Sequence, residues 1–316
     1  MSGAFLNTND PFFNLALEDH LLHNTNDEFF LLYINQPSIL VGRHQVIYRE
    51  VDIFEAENLN IPVIRRISGG GTVYHDPGNL NFSFIRNTTE GKQVDFELNT
   101  KPVIEFLKTI GITALLTGKS NITVNGLKIS GNAEHVFRKR VLHHGTLLFN
   151  TSADIMRRLI RSETLNYQTG AVASNRAEVA NISDLTGRFD SVHSFASSLF
   201  EFVAGSLDIH EDMNFGNTRN DAPGLLADSR YRTWEWNYGF TPPYTFRNTF
   251  AAFDCSNILE MNVRDGIIWK CSISGSEKLS LFAKTLIGCR HYHIELREKL
   301  TGSGIPVTED TIRFFF

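Results

Sequence analysis

The stretch "RRISGGGTVYHD", residues 65–76, places two arginines, a serine and three consecutive glycines directly before a short apolar run. Glycine loses more backbone freedom on folding than any other residue, so three in a row are costly to order. Such a loop is expected where a ligand approaches the main chain closely or where the turn is unusually tight. Its backbone N–H groups can also form a concave nest that binds anions. The stretch therefore predicts a strand that ends in a binding loop.

The two arginines close the preceding strand, "IPVIRR" (61–66). Side chains alternate between the two faces of a strand, so we expect only one of Arg65 and Arg66 to face the loop. A glycine-rich turn beside a surface arginine pair, with no ligand, is the alternative interpretation of these residues.

Apolar runs broken by turn residues predict strands around the loop. Residues 29–43 predict two strands joined by an Asn-Gln-Pro-Ser turn. A hairpin is predicted at 72–85, turning at Asp76-Pro77-Gly78-Asn79, where proline and glycine supply the turn dihedrals. A second hairpin is predicted at 121–133, because Asn-Gly between alternating runs is the strongest short hairpin signal. A further strand is expected at 141–150.

Four helices are predicted from capping residues or amphipathic spacing, at 9–22, 99–111, 151–161 and 191–207. Hairpins beside separate helices indicate an α+β fold with mixed or antiparallel sheets and flanking helices, not a doubly wound parallel sheet. Two prolines in "YGFTPPYTFRNTF" suggest a boundary. We therefore expect a large domain over 1–240, a linker at 241–247 and a small α+β domain over 248–316.

The composition excludes several classes of protein. The 316 residues carry a formal net charge of −5, which argues against general nucleic-acid binding, since that needs a concentrated basic face. No run of about 18 apolar residues predicts a membrane span, and the N-terminal segment lacks a signal-peptide pattern. The expected location is the cytoplasm. All three cysteines follow residue 250, which fits reduced thiols and no cysteine nucleophile in the first domain.

Three further features bear on chemistry. "TGKS" at 117–120 looks like the end of a P-loop, but Thr113 stands where the motif needs glycine, and a strand follows instead of a helix. Lys128 lies on the second strand of the Asn-Gly hairpin and is either a solvent-facing lysine or a functional cation. His143 and His144 are adjacent on a strand and face opposite sides, so they cannot share a metal ion, and we predict no zinc site.

Taken together, "RRISGGGTVYHDPGNLNFSF" (65–84), "LKISGNA" (127–133) and "HHGTLLFN" (143–150) resemble the catalytic domain of the lipoate–protein ligase A family. Its relatives are biotin ligases and octanoyl or lipoyl transferases. The resemblance continues in "NDPFFNLALE", "ILVGRHQ" and "TWEWNYG", and it covers nearly the whole chain in the same order. It implies a biotin/lipoate ligase-like catalytic domain followed by a small accessory domain.

The resemblance implies a two-step reaction, in which lipoate and ATP give lipoyl-adenylate, and the lipoyl group then passes to a lysine of an acceptor protein. A carboxylate that attacks a phosphate needs fixed positive charge and N–H donors. Lys128 matches the family's catalytic lysine, which bridges the acyl carbonyl and the phosphate. The resemblance places further residues around lipoate and the nucleotide: Arg66, Ser68, Gly69, Gly70, Gly71, Val73, Tyr74, His75, Asn79, Ser130, Gly131 and His144. Among these, residues 73–79 are assigned to the nucleotide and His144 to the acyl pocket.

Two positions depart from the family pattern. Lys119-Ser120-Asn121 stands where many bacterial members have Arg-Asn-Asp, so Asn121 lies near the expected Mg²⁺ position without the family's carboxylate. Magnesium can instead be held mainly by phosphates and water. Ala133-Glu134-His135 stands where Ala-Tyr-Arg is common, and this removes an arginine that orders the adenylate loop. The nearby Arg138-Lys139-Arg140 cluster either docks an acidic acceptor domain or forms a solvated turn.

The leading prediction is a monomeric ATP-dependent ligase that uses Mg²⁺. Its expected acceptors are the lipoyl domains of 2-oxoacid dehydrogenases or the glycine-cleavage H protein. One alternative is a transferase that uses preformed lipoyl-adenylate, which Asn121 leaves open, and another is a lipoate-binding protein without catalysis. A carrier-dependent transferase would need a cysteine, and a biotin ligase fits the "WEWNYG" block less well.

Overall fold

Strands and helices alternate irregularly along the chain. The computed structural model describes residues 1–88, 94–161, 166–211 and 221–316. The strands are β1 (Ser2–Phe5), β2 (Phe29–Tyr33), β3 (Ser38–Val41), β4 (Val63–Arg65), β5 (Val73–His75), β6 (Asn79–Asn87), β7 (Leu115–Thr117), β8 (Asn121–Val124), β9 (Leu127–Phe137), β10 (Arg140–Leu148), β11 (Tyr167–Gln168), β12 (His210–Glu211), β13 (Tyr244–Ala252), β14 (Cys255–Arg264) and β15 (Ile267–Ser274). The α-helices are α1 (Pro11–Asn24), α2 (Ile47–Glu50), α3 (Ile53–Asn58), α4 (Phe96–Thr109), α5 (Ala153–Leu159), α6 (Val192–Leu207), α7 (Ala222–Leu226), α8 (Glu277–Thr285), α9 (His293–Gly302) and α10 (Glu309–Arg313).

The largest sheet has eight strands in the order β12-β1-β2-β6-β10-β9-β8-β7. β1 pairs parallel with β2 and β12, and the other neighbours pair antiparallel. Alternate residues of β2 enter different cores: Phe30 packs with α4 and α6, whereas Leu31 and Tyr33 pack with α1. Because both faces are buried, a register slip of one residue would exchange the two sets of side chains, and the register is therefore fixed.

A three-stranded sheet, in the order β4-β3-β5, positions the glycine-rich loop. β4 ends at Arg65 and β5 begins at Val73, and these two strands lie on opposite sides of β3. The connection between them must therefore cross the end of β3. A side chain at Gly42, just after β3, would place its Cβ 2.1 Å from the carbonyl oxygen of Gly70. The loop thus lies directly on the end of the small sheet.

The C-terminal part of the chain forms a four-stranded sheet, in the order β11-β13-β14-β15, followed by α8, α9 and α10. Its core is continuous with that of the small sheet, since Val41 and Tyr48 share one apolar cluster with Phe246 and Phe316. Strand β13 begins at Tyr244, inside the segment expected as a linker. Within the described residues, no helix has both the length and the apolar character needed to cross a membrane.

Several sequence predictions are confirmed by the structure. The fold is α+β, and helices form at α1 and α6 close to the predicted bounds. The hairpin at 121–133 forms between β8 and β9, with Asn125 at φ 51° and Gly126 at φ 82°. Positive φ at both central residues is the conformation that a type I′ hairpin turn requires and that Asn-Gly adopts at little cost.

The predicted hairpin at 72–85 is wrong. β5 pairs with β3 in the small sheet, whereas β6 pairs with β2 and β10 in the large one. The turn between them is pinned by Asp76, whose carboxylate accepts from the backbone N–H groups of Gly78 (3.0 Å) and Ser152 (2.9 Å). The Asp-Pro-Gly-Asn turn thus transfers the chain between sheets, and local turn residues cannot distinguish the two outcomes.

The helix predicted at 99–111 begins earlier, at Phe96. The side chain of Asp95 accepts a hydrogen bond from the backbone N–H of Leu98 at 3.0 Å and caps this end. Capping of this kind satisfies an N–H group that has no partner within the helix. Pro102 therefore lies inside the helix rather than in its first turn.

Candidate functional site

A cavity of about 120 Å³ lies between the glycine-rich loop, β9 and β10. Its inner end is lined by residues that are 2–3% exposed, namely Tyr33, Leu40, His75 and Asn81. Its outer end is lined by exposed or half-buried residues, including Gly70, Thr72, Ser120, Asn121, Lys128, Ser174 and Asn175. The cavity is therefore a slot. Its inner end is closed and lined by apolar and polar side chains, and its mouth is polar.

Arg66 organises the glycine-rich loop. Its guanidinium donates to the carbonyl oxygens of Gly69 (2.6 Å), Gly71 (2.7 Å) and Leu40 (3.1 Å). Gly70 has φ 85°, a conformation that side chains rarely adopt. Because the arginine takes up the loop carbonyls, the main chain is held in one conformation at the cavity mouth. Burial lowers the pKa of Arg66 to about 10, so the group remains cationic near neutral pH.

A chain of side-chain hydrogen bonds connects this arginine to helix α1. Arg66 Nε donates to Ser68 Oγ at 3.0 Å, and Ser68 Oγ lies 2.6 Å from His144 Nε2. His144 Nδ1 lies 2.9 Å from Glu18 Oε2, and the Tyr33 hydroxyl donates to the other oxygen of this carboxylate, Oε1, at 2.8 Å. A carboxylate only accepts, so His144 donates from Nδ1 to Glu18. The inner wall of the cavity is thereby fixed.

Lys128 projects from β9 toward the cavity. A Cβ at Gly131 would lie 2.8 Å from the lysine Nζ, so the ammonium group lies over the backbone of this glycine. Burial, and then the positive charge of Arg66, lower the pKa of Lys128. The backbone of Lys128 is held on both sides, because its N–H donates to Glu178 O and its carbonyl accepts from Ala180 N.

The segment 171–180 forms one wall of the mouth and was not predicted as part of the site. Ser174 Oγ accepts from the backbone N–H of Thr72 and from Gln45 Nε2, both at 3.0 Å. Gln45 Oε1 in turn accepts from the N–H of Gly42 at 2.8 Å. These bonds tie the segment to the glycine-rich loop at one end, while Lys128 holds the other.

His75 lies at the inner end with one ring nitrogen unpaired. Its Nδ1 is 2.9 Å from Asn35 Nδ2, while its buried Nε2 has no partner among the described residues. Burial, followed by the charges of Arg66 and His144, lowers the pKa of His75 to about 3. The ring is therefore neutral near neutral pH.

The structure does not bring every predicted residue to the cavity. Arg66, Gly70, Gly71, Val73, His75, Lys128, Gly131 and His144 line it, together with Asn121. Ser68 and Gly69 lie behind them and bond to Arg66. Tyr74, Asn79 and Ser130 do not line the cavity: Tyr74 packs in the apolar core, while Asn79 and Ser130 bond to the lining residues Asn81 and Asn132.

Arg65 faces the opposite side of its strand from Arg66, as the alternation predicts. Its guanidinium makes five hydrogen bonds of 2.8–3.1 Å, to the carbonyls of Gly42, Arg43, Gln45 and, twice, Asn237. Asn237 Oδ1 accepts from the Arg65 N–H, and Trp236 Nε1 donates to its carbonyl. Arg65 thus joins the "WEWNYG" segment to the small sheet and does not line the cavity.

The remaining polar candidates also receive places. His143 faces away from His144 and bonds to Glu134, one of the positions that depart from the family pattern, at 2.9 Å. Arg140 is buried and donates to the carbonyls of Leu22 and Asp27, so it caps α1 and is not available to a docking surface. No group of three metal-binding side chains occurs in the parts of the chain that the structure describes.

Residues 10–204 match the family model described as the lipoyl protein ligase A/B catalytic domain. The chain belongs to this family. It is 34% identical over 304 residues to lipoate–protein ligase 1 of Staphylococcus aureus, covering 93% of this chain and 92% of that protein. It is 35% identical over 273 residues to lipoate-protein ligase LplJ of Bacillus subtilis, covering 85% and 82% of the two chains. The crystal structure of P. falciparum LipL1 in complex with lipoate has the same fold, with a TM-score of 0.65, 22% identity and coverage of 99% and 97%.

Family membership confirms the resemblance seen in the sequence. The geometry of the site also contains residues that the sequence patterns did not indicate. Glu18 and Gln45 lie inside the quoted stretches "NDPFFNLALE" and "ILVGRHQ", so the motifs contained them, but nothing in the spacing indicated their roles. Tyr33, Asn35 and Ser174 carry no local signal, because their partners are distant in sequence.

Proposed function

We propose that the protein is an ATP-dependent lipoate–protein ligase, which activates lipoate as lipoyl-adenylate and then transfers the lipoyl group to an acceptor lysine. One observation carries the proposal. The Lys128 ammonium and the loop ordered by Arg66 face a single narrow slot, whose mouth is polar and whose inner end is buried. This arrangement suits an acid with a reactive carboxylate at the mouth and a chain pointing inward.

In the activation step, the lipoate carboxylate attacks the α-phosphorus of ATP, a new C–O–P bond forms, and the bond to pyrophosphate breaks. Both reactants are anions, so fixed cations and N–H donors must offset their repulsion. Lys128 supplies the cation, and the backbone at Gly70 and Gly71 supplies close approach and N–H groups. The lowered pKa of Lys128 reflects an environment in which its charge is poorly solvated, and an anionic ligand would relieve this.

In the transfer step, the acceptor lysine amine attacks the acyl carbonyl, an amide forms, AMP leaves with the electron pair of the broken bond, and the proton lost by the amine passes to the departing phosphate or to water. Lys128 can stay cationic in both steps, because it stabilises the developing charge on oxygen and need not move a proton. Ser68 lies behind the cavity wall and holds Arg66 and the cavity-lining His144 in place.

The donors at the mouth fit a magnesium ion that is held mostly by phosphates and water. Asn121 offers one amide oxygen, and none of the described residues that line the cavity carries a carboxylate. When bound with ATP, Mg²⁺ would reduce the negative charge of the phosphates. This lining also supports a second candidate function, that of a transferase that accepts preformed lipoyl-adenylate and activates lipoate poorly.

The acceptors, location and domain roles are proposed from the family to which the chain belongs. Lipoyl domains of 2-oxoacid dehydrogenases or the glycine-cleavage H protein are the proposed acceptors, and the protein is proposed to act as a cytoplasmic monomer. A relative in the solved structures, a bipartite lipoate protein ligase of Thermoplasma acidophilum, is described together with its E2 lipoyl domain. Residues 1–240 are proposed as the catalytic domain and 248–316 as the accessory domain.

The test is to incubate the protein with lipoate, Mg²⁺ and an apo lipoyl domain, with and without ATP, and to follow the acceptor by intact mass. A lipoyl mass gain that requires ATP is the expected result. A gain only with synthetic lipoyl-adenylate would favour the transferase. No gain in either case would overturn both proposals and favour a binding protein, and omission of Mg²⁺ tests the metal separately.

A further inference from the structure

The inner end of the cavity contains several polar groups, and all but one of those groups are already paired. The Tyr33 hydroxyl donates to Glu18 at 2.8 Å, and Asn81 Nδ2 donates to the Tyr33 carbonyl at 3.2 Å. Asn81 Oδ1 accepts from Asn79 at 2.9 Å. The buried Nε2 of His75 lacks a partner among the described residues. An unpaired buried polar atom on a cavity wall is a position where a ligand atom is expected.

A series of buried amides determines what this atom offers. Asn14 Nδ2 donates to the Thr8 carbonyl and to Asn35 Oδ1, at 3.2 and 2.8 Å. A backbone carbonyl can only accept, so the Asn14 amide is fixed with its nitrogen toward Thr8, and Asn35 is fixed with its oxygen toward Asn14.

Asn35 Nδ2 therefore donates to His75 Nδ1, at 2.9 Å. A neutral imidazole that accepts at Nδ1 must carry its proton on Nε2. The unpaired atom is thus an N–H donor, held in one tautomer by residues that do not touch the ligand.

We infer that His75 selects the acyl group: its Nε2–H donates to a hydrogen-bond acceptor near the far end of the acyl chain, and so favours the sulfur-containing dithiolane of lipoate over the plain hydrocarbon end of octanoate. The inference rests on the proposed function, because the carboxylate at Lys128 directs the chain toward the inner end. It also moves His75 from the nucleotide side, where the family resemblance placed it, to the acyl side.

The physical basis is an asymmetry in the cost of hydrogen bonds. A thioether or disulfide sulfur is a weak acceptor, so the bond to lipoate adds little by itself. An octanoyl end offers no acceptor, and it would leave the N–H group buried and unpaired or trap a water in the slot. Leaving a buried donor unpaired disfavours a ligand far more than forming a weak bond favours one. We expect a preference for lipoate of about tenfold or more from this group.

The test compares lipoate with octanoate, both as the dissociation constant measured by calorimetry and as kcat/KM for transfer to an apo lipoyl domain. His75→Leu removes the donor and should reduce the lipoate-to-octanoate ratio by about tenfold. His75→Gln keeps an N–H donor at similar reach and should retain most of the ratio, which serves as the matched control. An unchanged ratio in His75→Leu would overturn the inference.

A probe that changes only the ligand covers the case in which the variants fold poorly. An octanoate analogue with a thioether sulfur in place of a methylene near its end should bind the wild-type protein more tightly than octanoate does. Equal binding of the two acids would also overturn the inference. If lipoate binds with the expected preference but no transfer occurs, the proposed function fails while the role of His75 stands. If transfer occurs but lipoate and octanoate are bound and used equally well, the proposed function stands while the role of His75 fails.

Discussion

Two buried polar networks start from adjacent residues of the small sheet, and they differ in how completely they are satisfied. Around Arg65, five hydrogen bonds to main-chain carbonyls join the strand to Asn237, and the site is closed. Around Arg66, the guanidinium is also bonded, but it lines a cavity where Lys128 is poorly solvated and His75 Nε2 has no partner among the described residues.

The difference separates a structural role from a binding role. A satisfied buried network holds elements together and leaves nothing for a ligand to gain. A cavity wall with an unpaired donor and a desolvated cation stores unfavourable free energy, which a ligand of matching polarity can release.

Lys128→Ala should lower kcat/KM for lipoyl transfer by at least about 100-fold, because it removes the fixed cation at the cavity mouth. The thermal midpoint should change little, since the lysine is half-buried and its removal relieves desolvation of a charge. Transfer is measured by intact mass of the acceptor and stability by calorimetry. Lys119→Ala, at an exposed position on the neighbouring turn, is the control and should keep its activity. Wild-type rates in Lys128→Ala would refute the assignment.

Arg65→Met should lower the free energy of unfolding by about 3 kcal/mol or more, because it leaves several buried carbonyls without a donor. Lipoate affinity of the folded protein should change less than in Arg66→Met, since Arg66 lines the cavity and Arg65 does not. Urea unfolding and lipoate calorimetry on both variants check this. If Arg65→Met weakened lipoate binding as strongly as Arg66→Met at unchanged stability, the two networks would not be distinct.

Gly70→Ala should weaken lipoate binding by roughly tenfold, since a non-glycine residue in the left-handed region costs about 1–2 kcal/mol. The new Cβ would also lie 3.1 Å from the Arg66 guanidinium. Gly69→Ala is a matched control, because its φ is not positive and a Cβ there meets no atom within 4 Å. Calorimetric titration of both variants decides the question, and equal affinities would argue that the loop does not bind the ligand.

The sequence predicted one half of this contrast better than the other. Strand alternation correctly indicated that only one of the two arginines would face the loop, and the same rule separated His143 from His144. It could not indicate which arginine faces the cavity, because the partner of Arg65 is Asn237, 172 residues away.

The closed inner end was also beyond local patterns. Glu18, Tyr33 and Asn35 come from helix α1 and the strand and turn that follow it, and they meet His75 and His144 only when the two sheets pack on α1. The wrong hairpin at 72–85 has the same cause, since a turn motif specifies local dihedrals but not the sheet that the next strand joins. Sequence motifs therefore predicted Lys128 and the glycine-rich loop as parts of the site. The inner end of the pocket forms only when distant elements pack together.

Acid should lower the free energy of unfolding through His291. This residue lies where the C-terminal sheet packs on the small sheet. Its Nε2 donates to the Phe315 carbonyl at 2.7 Å, and its Nδ1 lies 2.6 Å from the Tyr244 hydroxyl. Both nitrogens are satisfied in the neutral ring, and burial lowers the pKa of His291 to about 4.

A histidine whose pKa is lower in the folded state than in the unfolded state contributes stability that is present above about pH 6.5 and is lost as the pH falls. Between pH 6.5 and 4, each such histidine should reduce the free energy of unfolding by up to about 1.4 kcal/mol per pH unit. Urea unfolding at successive pH values should therefore show a shallower slope in His291→Gln than in the wild type. His193→Gln, on the exposed side of α6, is the control for replacing a histidine with glutamine outside the buried interface. Equal slopes in wild type and His291→Gln would mean that the interface tolerates the charged ring.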